Sequence, residues 1–594
     1  MVRVADYIMQ ELYKNGSRHI FMVTGRGALF LSDAVAANEN LHGISMHHEQ
    51  SASFAAVAYS DYTDTLGACL VSTGCAETNA MTGVLNAWQD GIPCVFISGQ
   101  NKLNETSRFT GIPLRTYGQQ EADIIPIVDT ITKYAVMISD PNMIAYEMEK
   151  AIYLAKAGRK GPVWIDVPLD VQNKRINPDE LKHFLPEDEP DYEPSPEDVD
   201  YIIKSLQNAQ RPAILIGSGV RLSGAIKELE HFIEKTSIPV SFTNAAPDTY
   251  GSNNPLSIGS VGMMGCSRAG TFTIQNSDLL IVLGSRLSTM TTGEEVDKFA
   301  RMAKVIVVDI DPVEHSKKSI KIDRLIIADV KKTLVKLIDN KIKRASKEWS
   351  DKCLHWKQVF PKCEEQYKTD GKIDLYHLAE SFSEALPHNS VFVSDSGLVE
   401  LILPTNINFK PEQRCIHPAS QGSMGFALPG LVGAFYASNN PIIAVIGDGS
   451  IMMNLQELET IRYNNIPAKI FIINNNAYAV IRKRQVDLFR SRTIGVDPSD
   501  GISCPNFKKV ANAFDIPFTK INHSDGMVKK LKAIIKMEGP VICEIMAKHD
   551  QDYISTSYAK NNNKRFVRRP IEDQAPFLDR EIFLSEMIID PIDQ

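Results

Sequence analysis

The chain has 594 residues, 43% of them apolar and 23% charged, and a formal net charge of −8. That length implies several domains, the composition is that of a soluble globular protein, and the acidic balance argues against a nucleic-acid or anionic-membrane partner. There is no apolar run long enough for a membrane span, and nine scattered Cys with no C-x-x-C pair argue against a disulfide framework or structural zinc and for reduced thiols in a cytoplasm.

The opening MVRVADYIMQELYKNG reads as an amphipathic helix ending at Gly16, not a signal peptide. Short β-branched runs then alternate with helical stretches: GACLVST (67–73), CVFISG (94–99), AILIGSG (213–219), LLIVLGS (279–285), VIVVDID (305–311), IIAVIGDG (442–449) and KIFIINN (469–475). Continuous apolar strands with small or polar C-terminal ends, followed by helices, predict an α/β protein of three doubly wound parallel-sheet domains. Ligands of such sheets bind outside the carboxyl ends of the strands. The acidic, Pro-rich PEDEPDYEPSPED (186–198) reads as an extended linker. The charged stretch 340–373 reads as a surface helix leading to a new start at Ile373. The domains are expected at about 1–185, 190–345 and 370–555. In the tail (556–594), PIEDQAPFLDREIFLSEMII (570–589) regains apolar residues and is expected to dock on the body.

The densest chemistry lies in 442–485. Gly447 and Gly449 flank Asp448 and permit a tight turn. Ile451, Leu455, Leu458 and Ile461 recur at helical spacing, and KIFII is the next strand. In such a βαβ unit Asp448 and Asn475 share one sheet edge beside a helix N-terminus. Oxygen ligands there suit Mg²⁺ carrying a diphosphate. Gly-Asp-Gly alone is most often a turn; the Asn pair one βαβ unit later changes that balance. Together they resemble the motif of thiamine-diphosphate enzymes. The resemblance implies that Asp448, Asn475 and the Ala477 carbonyl hold the metal, with Gly447, Gly449, Ser450 and Tyr478 around the cofactor.

That cofactor needs a carboxyl to hydrogen-bond its aminopyrimidine ring, held in a largely apolar pocket. SMHHEQSASFAAVAYS (45–60) sets Glu49 at the start of a small-residue helix and resembles the family's HEQ segment. The likeness is nearest to the acetolactate synthase branch. STGCAETNAMTGVLNAWQDGIPCVFISGQ (72–100) carries Thr73 and Asn79, with Cys75 where Pro is usual. QQEADI (119–124) supplies Gln120, with Gln119 in place of Phe. QGSMGFALPG (421–430) supplies Gly422 and Met424, the latter implied to prop the cofactor in its bent shape. Ile481 is implied as a wall beneath it and Lys133 as a channel lysine.

In the middle domain RPAILIGSGV (211–220) lacks the third glycine of a dinucleotide fingerprint. Together with NPLSIGSVGMMG (254–265), NSDLLIVLGSR (276–286), VIVVDIDP (305–312) and IIADV (326–330) it follows the branch's order, which implies FAD in a structural, non-redox role. Gly217, Gly219, Gly262, Met263, Gly284, Arg286, Asp309 and Asp329 would line it. Two positions depart from the branch. In SRLSTMTTG (285–293) Met290 replaces the Arg that meets the second 2-oxoacid's carboxylate, and in IRKRQ (481–485) Arg484 replaces a Trp at the channel mouth. Arg268 is the alternative carboxylate partner. The tail resembles those of thiamine-diphosphate enzymes of surface-polysaccharide and deoxysugar pathways.

The resemblance therefore implies a cytoplasmic carboligase using thiamine diphosphate, Mg²⁺ and FAD. It would decarboxylate pyruvate and add the two-carbon unit to a keto acceptor, here expected to be a nucleotide-linked 4-keto sugar. Glu49 would drive cofactor activation and Gln120 would polarise a carbonyl. The site would lie between chains of a homodimer or homotetramer. An acetolactate synthase, often with a regulatory subunit, and a simple 2-oxoacid decarboxylase are the alternatives.

Overall fold

The β-branched runs assemble into three six-stranded sheets, each wholly parallel, in a computed structural model that describes residues 1–186, 191–369 and 371–592. The first sheet runs, edge to edge, through His42–Ser45, His19–Met22, Gly67–Val71, Cys94–Gln100, Val163–Pro168 and Tyr134–Met137. The last runs through Arg414–Ile416, Val391–Val393, Ile442–Gly447, Lys469–Asn474, Val541–Met546 and Phe518–Ile521. Numbered in chain order within each sheet, both read 2-1-3-4-6-5. The central sheet, Ser257–Ser260, Val240–Phe242, Pro212–Ile216, Leu279–Leu283, Lys304–Asp309 and Arg324–Ile327, reads 3-2-1-4-5-6. Its order reverses between Pro212–Ile216 and Leu279–Leu283, where a crevice opens at the strand ends.

Small side chains set how the outer domains meet. Ser51, Ala52, Ala55, Ala56 and Ala58 are buried along the helix Glu49–Thr63, which packs on Ala427–Ala437. A Cβ at Gly433 would lie 2.1 Å from the Ala55 carbonyl oxygen, so the two helix backbones touch directly. Arg414 ties all three domains: it pairs with Asp248 at 3.0 Å and donates to the carbonyls of Asp61 and Tyr62.

The connections depart from the sequence reading at the end of the first linker. Of the linker expected over 186–198, residues 187–190 lie outside the described residues, as does Asp370 at the second expected boundary. The linker's end is already helix, Pro196–Asn208, because Ser195 caps it and Pro and two acids fill its first turn. In 340–373 the expected helix is Lys347–Val359; Lys347, Glu348, Asp351, His355 and Gln358 are exposed on its outer face, and its inner face buries Trp349 and Trp356. The tail does dock on the central domain: Ile571 and Phe583 are buried, and Arg301 pairs with Glu572 at 2.7 Å.

Candidate active site

Asp448 and Asn475 stand at the ends of neighbouring strands. Gly447 is in register with Ile473, and the Asp448 amide donates to the Ile473 carbonyl at 3.0 Å. The Asp448 carboxylate is 3% exposed and accepts from the amides of Gly449 (2.8 Å) and Asn476 (2.6 Å). Burial pushes its pKa up to about 6 although these bonds pull it down, so a cation beside it would relieve a real desolvation cost. Asn475 Oδ1 accepts from the buried Ala477 amide at 3.1 Å. One carboxylate, one carboxamide and one nearby carbonyl form an all-oxygen donor set that fits Mg²⁺ and leaves room for phosphate oxygens. Tyr478 packs over Gly449, where a Cβ would lie 1.9 Å from Tyr478 Cε1.

The crossover after Gly449 is not the single helix that Ile451, Leu455, Leu458 and Ile461 imply. A 3₁₀ turn, Ser450–Met453, gives way at Asn454 to the helix Glu457–Tyr463. The buried Asn454 carboxamide donates to the Gly425 carbonyl (2.9 Å) and to Gln50 Oε1 (3.1 Å), and accepts from Ser51 Oγ (2.9 Å). Those bonds hold the break open and tie Glu49's segment to the Met424 loop. Ser450 Oγ accepts from the Gly425 amide at 2.8 Å, and Gln421 donates to the Thr82 carbonyl at 3.0 Å. Met424 is half-buried between Gly422 and Gly425, both at positive φ.

Glu49 opens its helix, with His48 as cap, and accepts from Asn79 Nδ2 at 2.9 Å. Within one chain it is half-buried among polar neighbours, not enclosed in an apolar pocket. Thr73 Oγ1 donates to Gln100 at 2.6 Å. Gln120 is exposed, at φ +59°, on a loop whose carbonyl abuts Gly74. Ile481 is 49% exposed.

Buried acids around these segments were not singled out from the sequence. Asp395, which accepts from the Phe426 amide, is pushed up to about 7 by burial. Glu400, beside Gly422, is held well above the carboxylate range by burial and then by Asp90 and Asp395. Glu77 accepts from the Gly74 amide at 2.6 Å and leaves its other oxygen unpaired. Burial, then the charge of Asp166, raises Glu77 well above the usual range; burial raises Asp166 to about 7. Raised native pKa values mean the folded state holds protons that the unfolded chain has released. Stability therefore falls as pH rises above about 4, and for Asp395 and Asp166 it does so through about pH 7. E77Q removes one of the two acids, so its melting temperature should exceed the wild type's by a few degrees at pH 8, roughly 1 kcal/mol, and by less at pH 5. Equal shifts at both pH values would contradict the pairing.

A cavity of about 690 Å³ fills the central crevice. Gly217, Gly219, Gly284, Arg286, Asp309 and Asp329 line it, with Arg159, Ser420 and Met290. Gly284 sits at φ +55°, and a Cβ there would lie 2.6 Å from Gly219 Cα, so the two strand ends close together only as glycines. Glycine turns at the strand ends and an adjacent guanidinium fit a dinucleotide's phosphates. Gly262 and Met263 are not in the lining: Met263 lies behind Met290, its amide donating to the Met290 carbonyl at 2.7 Å. Lys133 is not in it either. Its ammonium donates to the carbonyls of Ala157 and Arg159, holding the loop that forms the cavity's edge. Arg268 is buried and committed to Glu364 and the carbonyls of Gln574 and Pro576, so it fastens the tail and is no substitute for the guanidinium absent at Met290. Arg484 touches Met264 Sδ at 3.5 Å.

Three family models match in the same order. "Thiamine pyrophosphate enzyme, N-terminal TPP binding domain" covers residues 2–127, the central domain 199–337 and the C-terminal TPP binding domain 395–545. Among curated proteins the chain is 31% identical to the acetolactate synthase large subunit of Porphyra purpurea, over 93% of this chain and 94% of that one. It is 32% identical to the acetolactate synthase large subunit of Cyanidium caldarium (94% and 95%). To the chloroplastic acetolactate synthase 1 of Zea mays it is 28% identical (92% and 86%).

Proposed function

The chain belongs to the thiamine pyrophosphate enzyme family and is acetolactate synthase-like, and on that premise we propose that it removes CO₂ from pyruvate and joins the remaining two-carbon unit to a carbonyl acceptor. The observation that carries this reading is the hydrogen-bonded path Gln50–Asn454–Gly425, which ties the segment of Glu49 to the loop of Met424. Bound there, thiamine diphosphate supplies a nucleophilic carbon for attack on a 2-oxoacid. Asp448, Asn475 and the Ala477 carbonyl would hold Mg²⁺, and Gly447, Gly449, Ser450 and Tyr478 the diphosphate. Met424 and Ile481 would shape the cofactor, with Thr73 and Gly422 nearby. Glu49, oriented by Asn79, would move a proton at its ring nitrogen, and Gln120 would address a carbonyl. FAD would sit in the central cavity against Gly217, Gly219, Gly284, Arg286, Asp309 and Asp329, without a redox step. A homodimer or homotetramer would complete the site, and the nine free thiols suit a reducing cytoplasm.

The relatives' names favour a second pyruvate as acceptor, giving 2-acetolactate. A second reading, a nucleotide-linked keto sugar, is favoured by one observation: Met290 leaves no guanidinium at that point, Arg268 is engaged elsewhere, and Arg484 adds a cation at the mouth. NMR of products from ¹³C-labelled pyruvate, with thiamine diphosphate and Mg²⁺ and no other acceptor, separates them. Rapid acetolactate supports the first reading. Slow acetaldehyde or acetoin supports the second. No cofactor-dependent decarboxylation sinks both.

A further inference from the structure

After Val541–Met546 the chain returns to the central domain along the acceptor mouth. The Gly265 amide donates to the Ile554 carbonyl at 2.7 Å, and the Thr556 amide to that of Met263 at 2.9 Å. Met264, which touches Arg484, bridges to Ser555, and Met263 holds the Met290 carbonyl. The tail thus seats on Met263 and Met264, the residues that touch Met290 and Arg484. The next residues form an antiparallel hairpin, Tyr558–Lys560 with Phe566–Arg568, whose base, where Tyr558 pairs with Arg568, is fastened by the ion pair of Arg568 with Glu294.

Strand alternation sorts the hairpin's faces. Ala559 and Val567 point one way and are half-buried; Tyr558, Lys560, Phe566 and Arg568 share the other face. Tyr558 is 59% and Phe566 70% exposed. The Lys560 ammonium lies 5.6 Å from the Phe566 ring centroid, and the Arg568 guanidinium 5.6 Å from that of Tyr558. Lys564 and Arg565 stand exposed at the tip. The segment YAKNNNKRFVR holds no acid. Lys560, Lys564 and Arg565 meet no carboxylate within ion-pair distance among the described residues.

We propose that this hairpin is the subsite for the nucleoside diphosphate of the acceptor, an inference that rests on the keto-sugar reading above. An exposed ring offers a face on which a base stacks, worth about 1–3 kcal/mol per base. Unpaired Lys and Arg are the donors that diphosphate oxygens accept from. Three-residue strands carry the tip roughly 10 Å beyond the mouth, so a ligand held along the hairpin can direct its sugar inward past Arg484. Rings interrupted by cations form no continuous apolar patch, which disfavours a protein partner on this face.

The test titrates holoenzyme, loaded with thiamine diphosphate, Mg²⁺ and FAD so that the central cavity is filled, with uridine, thymidine, cytidine and guanosine diphosphates by calorimetry. One of them should bind. The triple variant K560A/K564A/R565A should weaken it at least about tenfold, a change of about 1.4 kcal/mol, and F566A should weaken it separately with an unchanged melting temperature. Absence of binding by all four, or binding untouched by both variants, overturns the subsite. A shift in sedimentation of the triple variant would also overturn it, because the face would then be a contact between copies. Rapid acetolactate formation from pyruvate alone would instead sink the keto-sugar reading, whatever the hairpin binds. Failure of the titration with slow acetoin formation would sink the hairpin alone.

Discussion

Glu49→Gln should lower turnover of pyruvate by about 10²–10⁴-fold, the range for loss of a positioned acid–base group. The substitution keeps the side chain's length and an oxygen for the Asn79 bond at 2.9 Å, and it leaves the His48 cap in place. What it removes is the group that would exchange a proton with the cofactor ring. Thiamine diphosphate and Mg²⁺ should still bind with near wild-type affinity by calorimetry, so the loss would fall on kcat. A fall of less than about threefold would remove Glu49 from the chemistry, since it would lie outside that range. A parallel loss of cofactor binding would make it a structural residue.

The second large effect belongs to Asp448→Asn, which keeps an oxygen for only one of the Gly449 and Asn476 amides, turns an NH2 toward the other, and discards the charge that would face the metal. With ligands held about 100-fold above the wild-type Kd, bound cofactor and metal stabilise the fold by about 2.7 kcal/mol. The variant should lose most of that, seen as a missing thermal shift on adding thiamine diphosphate and Mg²⁺. Asn475→Ala should lose part of it. An undiminished shift in Asp448→Asn would relocate the metal.

Much of this site is legible in the sequence because its parts lie at strand ends. IIAVIG and KIFIIN are unbroken apolar runs, and parallel pairing brings the residues after them to one edge, as the register of Gly447 with Ile473 shows. The Asn454 break escapes notice because the apolar spacing around it is helical; the carboxamide's partners, Gln50 and Gly425, are far away in sequence. Glu77, Asp395 and Glu400 look like ordinary surface acids until their burial is seen. Arg268 reads as a free guanidinium for the same reason, since two of its partners belong to the C-terminal tail. Glu49's enclosure is a different case: the single chain leaves it half-buried, and a partner subunit is what would cover it.

The most direct measurement is release of labelled CO₂ from [1-¹³C]pyruvate by metal-stripped apoprotein, with thiamine diphosphate and Mg²⁺ added singly and together to wild type and Glu49→Gln. Release by the wild type only when both are present, with little from the variant, is the predicted result. Release that needs neither addition, or none at saturating levels of both, would contradict the account.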